Sequence, residues 1–316
     1  MRALSVAGME VEPGRRETKV ATIPIGDRSV QVPVIAINGA NDGPRVAVTG
    51  GIHGAEYVAI EAARRVGMSV DPVSLRGSLV VVPISNTTSY FARAIYTSAL
   101  DDQNLNRVFP GDAGGGPSQM LADWLFRTII APSQYYVDMH GGDMIEALVP
   151  FVLAPKYSDP ALDEAALAMA RASGIPRIIH SDVEGSTCGA AAAAGIPAIL
   201  AEIGGQGVWR EDEVNEHMNS TIRVLRHLGL LEGEVEPAEN QRVYDTFAWM
   251  RAEASGLLHS TVAVGDQVEA GQPVGTIVDF FGTPQQELHA VASGEVGFLV
   301  TSLAINTGDP ILAICA

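Results

Sequence analysis

The stretch from Arg45 to Glu56 constrains the fold more than any other part of the chain. Val46 to Val48 is a short apolar run suited to a buried strand, and Gly50 and Gly51 supply the backbone freedom for a sharp turn. A helix is predicted from Ala55 to Gly67, with Ala59, Ala62, Ala63 and Val66 at helical spacing and Gly67 as its stop. His53 and Glu56 fall three apart where the turn enters the helix, so an imidazole and a carboxylate can converge on one point.

Taken alone the pair is ordinary, because a glutamate at a helix start commonly serves the helix dipole. A third donor changes the reading. Tyr135-Tyr-Val-Asp138-Met-His140-Gly-Gly-Asp143 is again a short apolar strand ending in a histidine and two glycines. His53, Glu56 and His140 together match the two-imidazole, one-carboxylate set that holds zinc with a fourth position open to water. Two imidazoles favour zinc over magnesium. Asp138 lies two residues before His140 and shares its face in an extended strand; it reads either as the carboxylate orienting that imidazole or as a strand-end acid satisfied by backbone amides.

Glu202 ends the apolar strand from Pro197 and precedes Gly204-Gly205-Gln206-Gly207. Its carboxylate would project over the crevice at the carboxyl ends of the strands, where α/β sheets bind ligands. Spacing alone leaves it open between a general base and a surface acid. Arg93 and Arg107 belong to a polar excursion from Asn86 to Pro110, and a connection that long inside a compact domain is usually functional.

At 316 residues and 47% apolar, the chain can bury a large core and add a small second domain. Acidic residues outnumber basic ones 37 to 20, a net charge of −17, with no run of Lys or Arg. Such a surface makes nucleic acid and anionic membranes poor partners. No apolar stretch reaches the ~18 residues of a membrane span, and residues 1–14 lack the order of a signal peptide. Cys188 and Cys315 form no CxxC pair, as in a reduced compartment. A cytoplasmic protein is expected, and association as a homo-oligomer stays open.

Strands and helices alternate along most of the chain. Residues 19–37 read as two strands with a turn near Gly26-Asp27, residues 38–43 as a loop, Ser78 to Ile84 as a buried strand, and Ser118 to Ile130 as a helix. Strands at 151–154, 177–180 and 197–202 alternate with helices at 161–172, 190–194 and 211–228. The pattern predicts an α/β fold, a mixed sheet with helices on both faces. From Gly256 onward only short strands between glycine turns remain, an all-β module. The boundary places residues 1–247 in a catalytic domain and 248–316 in the module. Trp209, Phe280 and Phe281 read either as pocket lining or as ordinary packing.

Four ordered motifs carry a family resemblance: Gly50-Gly-Ile-His53-Gly-Ala-Glu56, Asn104-Leu-Asn106-Arg107-Val-Phe-Pro-Gly111, Asp138-Met-His140-Gly-Gly-Asp143 and Ala201-Glu202-Ile-Gly-Gly205. They resemble those of the succinylglutamate desuccinylase/aspartoacylase family of the zinc carboxypeptidase-like superfamily, closest in texture to deacetylases of N-acetyl-diaminobutyrate type. The resemblance implies one zinc ion on His53, Glu56 and His140, with Glu202 as general base and then acid. It implies Asn106 and Arg107 as the grip on a substrate carboxylate, and hydrolysis of a small N-acyl amino acid or amine. The alternative is a zinc carboxypeptidase acting on short peptides. Many members carry a carbonyl-polarising arginine in the window that here runs from Ile95 to Ala99; this window has none, and Arg93 is the expected substitute. The tail resembles a biotinyl/lipoyl-type barrel, but the only lysines, Lys19 and Lys156, lie outside it. A wall or lid over the zinc cleft is expected instead, with His259 and His289 structural.

Overall fold

Alternating hydrophobicity after residue 14 builds one large sheet, and the glycine-rich tail builds a pair of small ones. The computed structural model describes residues 2–180, 184–235 and 238–316. A hairpin of β1 (Leu4–Val6) and β2 (Met9–Val11) precedes β3 (Arg15–Ile25), β4 (Arg28–Asn38), β5 (Asn41–Gly50), α1 (Tyr57–Ser69), β6 (Arg76–Val82) and α2 (Thr87–Ala92). A 3-10 turn at Leu105–Arg107 leads to α3 (Pro117–Leu125), which widens into a π-turn over Phe126–Ile130. Then follow β7 (Tyr135–His140), β8 (Glu146–Leu148), β9 (Phe151–Ala154), α4 (Pro160–Ser173), β10 (Arg177–His180), α5 (Thr187–Ala193), β11 (Ala198–Glu202), α6 (Glu211–His227) and β12 (Arg242–Tyr244).

Nine of these strands form a mixed sheet in the order β12-β10-β9-β11-β7-β5-β6-β4-β3. The central strands β11, β7, β5 and β6 are mutually parallel, so their carboxyl ends share one edge. Side chains alternate between faces along a strand, and β5 shows the result. Val46 and Val48 pack with Val58, Ala62, Met169 and Val224 of α1, α4 and α6, whereas Ala47 packs with Leu121, Leu125 and Ala191 of α3 and α5. Each fully buried valine of that strand contributes about 1.5–3 kcal/mol of transfer free energy, which fixes the register and with it the turn that carries His53.

The tail comprises β13 (Phe247–Arg251), β14 (Gly256–Ser260), β15 (Gln267–Val268), β16 (Pro273–Val278), β17 (Pro284–His289), β18 (Gly294–Val300), β19 (Ala304–Ile305) and β20 (Pro310–Cys315). They form two open antiparallel sheets, β13-β20-β18-β15 and β17-β16-β14-β19, around a core of its own, rather than a closed barrel. β8 leaves the large sheet and pairs with β18, Glu146 opposite Val300. Thr301 N donates to Ile145 O at 2.8 Å and Val149 N to Gly297 O at 3.0 Å. The Arg177 guanidinium grips the Glu295 carboxylate with two nitrogens.

Three local expectations are corrected. Gly67 does not stop α1, which runs on to Ser69; a Cβ there would lie 2.7 Å from Ile35 Cδ1, so the glycine serves close helix–sheet packing. Residues 41–43 join β5, with an irregular register before Arg45, because β6 offers a ladder to pair with. The short helix near residue 190 starts earlier, at Thr187, where the Ser186 side chain accepts from Gly189 N. The described residues include no helix long and apolar enough to cross a membrane.

Candidate metal centre and active site

Three neighbouring strand ends assemble the site. In the ladder Gly50 lies opposite Met139, and Glu202 opposite His140, so β5, β7 and β11 deliver their terminal residues to one place. Gly51 adopts φ +63°, and a Cβ there would lie 2.9 Å from Ile60 Cγ1, so the turn that swings His53 back requires glycine. Glu56 caps α1 without a side-chain cap bond. Its carboxylate is turned to the histidines.

His53 Nδ1 lies 2.7 Å from Glu56 Oε1, and His140 Nδ1 lies 3.0 Å from Glu56 Oε2. All three ligand atoms fall within 4.8 Å of one another. The far nitrogens are pinned: His53 Nε2 is 3.0 Å from Asn104 Oδ1, and His140 Nε2 is 3.0 Å from Asp138 Oδ2. Because a carboxamide oxygen and a carboxylate only accept, both rings carry a proton on Nε2, which leaves Nδ1, the nitrogen facing Glu56, as the one a metal ion would take. Asp138 is therefore an orienting carboxylate, buried between β5 and β11 and also accepting Thr49 Oγ1 at 2.6 Å.

The electrostatics describe a site short of positive charge. Burial pushes the Glu56 carboxyl up, but the two imidazoles outweigh it and hold it at about 2. Burial pulls both histidines down, and Glu56 reverses this, so both end above the usual imidazole range. Burial drives the Glu202 carboxyl well up; His140 opposes the rise, and the charges of Glu56, Glu146 and Asp138 reinforce it. Glu56 Oε2 and Glu202 Oε2 are enclosed and without a hydrogen bond among the described residues, although His140 Nδ1 lies 3.0 Å from the former. Orphaned buried carboxylate oxygens beside two aligned Nδ1 atoms fit a bound divalent cation, which would supply both the partner and the charge.

Asn106 is buried, with Oδ1 accepting from Thr187 N at 2.9 Å. That bond occupies the amide oxygen and leaves the nitrogen as the donor end of the side chain. Arg107 bonds Asn106 O at 2.7 Å and otherwise opens to solvent, as a group that meets a ligand must. Partial desolvation lowers its pKa, the Glu202 charge opposes that, and Arg251 of the tail adds to it. Arg93 instead caps α2 in the left-handed region, exposed and with no side-chain partner among the described residues. The arginine-free window supplies Tyr96, at φ +57°, whose N–H donates to Asp143 Oδ2 at 2.8 Å and whose phenol faces Glu146.

The model of the succinylglutamate desuccinylase/aspartoacylase catalytic domain matches residues 42–228, more than half of the chain. The chain belongs to this family. It is 30% identical over 295 residues to N-alpha-acetyl-L-2,4-diaminobutyric acid deacetylase of Halomonas elongata, across 90% of this chain and 86% of that protein. Its fold matches the product-bound ectoine utilization protein EutE (DoeB) of Ruegeria pomeroyi with a TM-score of 0.87 at 25% identity, over 96% of this chain and 97% of that one. A succinylglutamate desuccinylase/aspartoacylase from Rhodobacter sphaeroides gives 0.85 at 27%, with the same coverage.

Several residues of this family member escaped sequence reasoning. Asn104 orients His53 but stood only as part of the Asn-Arg motif. His217, on α6, is fully buried with Nε2 2.9 Å from His140 O, and burial depresses it to about 4; the sequence reading placed a helix there without singling it out. Thr187 and Glu146 lacked any local signal. Phe280 and Phe281, at 87% and 94% exposure in the β16–β17 turn, neither line the site nor pack in a core. Trp209 lies under Arg65, 5.9 Å from its guanidinium carbon. His259 and His289 are exposed strand residues of the tail.

Proposed function

We propose that this chain is a zinc-dependent deacylase that hydrolyses the amide bond of a small N-acyl amino acid. The observation that carries this reading is the convergence of His53, Glu56 and His140 beside a buried carboxylate oxygen of Glu202 that has no hydrogen-bond partner among the described residues. The two-imidazole, one-carboxylate donor set suits zinc. Held by those three residues, the ion would lower the pKa of water and polarise the scissile carbonyl.

The chain's own residues do the rest. Glu202, kept basic by its surroundings, takes a proton from the attacking water and returns it to the leaving nitrogen. Asn106 and Arg107 hold the substrate carboxylate, the guanidinium by its two-pronged fit. Asp138 and Asn104 keep the two imidazoles aimed. The diaminobutyrate deacetylase relative makes an N-acetylated diamino acid the first substrate to try. The two cysteines, buried and unpaired, support a cytoplasmic setting.

The test is a substrate panel run with the zinc-loaded and chelator-stripped protein: N-acetyl-diaminobutyrate, N-acetyl-aspartate, N-succinyl-glutamate and short dipeptides. Zinc-dependent release of an amine from an N-acyl amino acid is expected. Preferential cleavage of dipeptides would reassign the chain as a carboxypeptidase.

A further inference from the structure

Thr187, the first residue of α5, joins two parts of the site that no single strand or loop connects. Its backbone N–H donates to Asn106 Oδ1 at 2.9 Å, and its hydroxyl donates to Asp138 Oδ2. Thr187 and Asp138 are fully buried and Asn106 nearly so. One residue thus touches the amide that faces the substrate carboxylate and the carboxylate that orients His140.

The direction of each hydrogen bond follows from the chemistry. Asp138 can only accept, and it takes Thr49 Oγ1 on Oδ1 and both His140 Nε2 and Thr187 Oγ1 on Oδ2. Thr49 spends its proton on Asp138, so the Tyr136 hydroxyl must donate to Thr49. The protons of Thr49, Thr187 and His140 all point toward Asp138, and the Tyr136 hydroxyl also lies beside Thr187. A valine at 187 would leave Asp138 Oδ2 with His140 as its single partner in a site that excludes solvent. The loop geometry tightens the same link. Phe109 N donates to Gly185 O at 2.9 Å, and a Cβ on Gly185 would lie 2.4 Å from Arg107 O. Residues 185–187 therefore press against the Asn106-Arg107 turn along its length.

We infer that Thr187 is a positioning residue for the metal centre: its hydroxyl fixes Asp138, and through it the ring of His140, while its N–H independently fixes Asn106. The inference rests on the deacylase reading above, since it takes His140 as a zinc ligand. It separates two functions within one residue. Loss of the hydroxyl loosens the metal and spares the carboxylate grip, which depends on the backbone.

Thr187→Val and Thr187→Ser in the full chain test it. Zinc affinity is read by competition with a chromogenic chelator, and kcat and KM on the best substrate of the panel. Thr187→Val is expected to weaken zinc binding about tenfold, the low end for loss of a residue behind a metal ligand, with KM unchanged when zinc is saturating. Thr187→Ser, which keeps the hydroxyl, restores most of the affinity. In an Asp138→Asn background Thr187→Val should cost no further affinity, because the route through Asp138 is already broken. Wild-type zinc affinity in Thr187→Val overturns the inference alone. So does a raised KM at saturating zinc, or an undiminished further loss in the Asp138→Asn background, since either marks general disruption of α5. A wild-type chain that binds no zinc overturns the deacylase reading with it.

Discussion

In the deacylase reading proposed above, Glu202 is the residue on which the chemistry turns. It is held opposite His140 by the parallel ladder, and Oε2 has no hydrogen-bond partner among the described residues. Glu202→Gln keeps the shape and removes the base, so it is expected to lower kcat about 10²–10⁴-fold while zinc content, measured by elemental analysis, stays at the wild-type level. Retained turnover would remove Glu202 from the mechanism. The role proposed for it is legible in sequence only through company. A glutamate after an apolar strand is ambiguous, and became specific beside two histidines that each end a strand at a glycine turn. Arg93 shows the opposite case. Proximity in sequence to Asn106 suggested a shared task, but the left-handed turn that ends α2 leaves Arg93 in solvent.

At the scale of elements, two connections control the site. The turn at Gly185, φ +71°, braces the Asn106-Arg107 loop, and a methyl group there has no room beside the Arg107 carbonyl. Gly185→Ala is expected to raise KM for carboxylate substrates more than it lowers kcat, as steady-state kinetics would register. β8 carries Glu146, whose carboxylate accepts Asp143 N at 2.7 Å and is pushed up to about 7 by burial, with Asp143 and Glu56 adding to the rise. A carboxyl raised in the folded state stabilises the fold below its ordinary pKa of about 4.5, and that stability is lost as pH rises toward 7. Glu146→Gln does not titrate. In metal-free protein its melting temperature should therefore gain on wild type between about pH 5 and about pH 8, by an amount equivalent to at most about 3 kcal/mol. A difference that does not move with pH would exclude ionisation of Glu146 as the cause. Neither connection could be read beforehand. Thr187 acts through Asn106 and Asp138, dozens of residues away, and three-residue β8 is too short for a periodic signal.

For the whole molecule, the alternating pattern of the large sheet and the change of texture toward the tail were plain in the sequence, because burial on both faces and glycine turns are written locally. How the tail meets the sheet was not, since strand pairing between distant segments has no local marker. The Arg177–Glu295 pair bridges β10 and β18, and both side chains are mostly buried. Glu295→Ala strands the guanidinium, and a loss of about 1–3 kcal/mol is expected, or roughly 2–4 °C of melting temperature per kcal/mol for a chain of this kind. Calorimetry at moderate and high salt would check it: the loss should persist in salt, which screens exposed pairs far more than enclosed ones.

The excursion of β8 into the tail's sheet bears on how such proteins can be recombined. A chimaera that takes its last seventy or so residues from a relative would keep its own Glu146 strand while receiving a foreign edge for it to zip against. Grafts of this kind are expected to succeed only when residues 143–149 travel with the donor's tail, so that two separated segments form one hereditary unit.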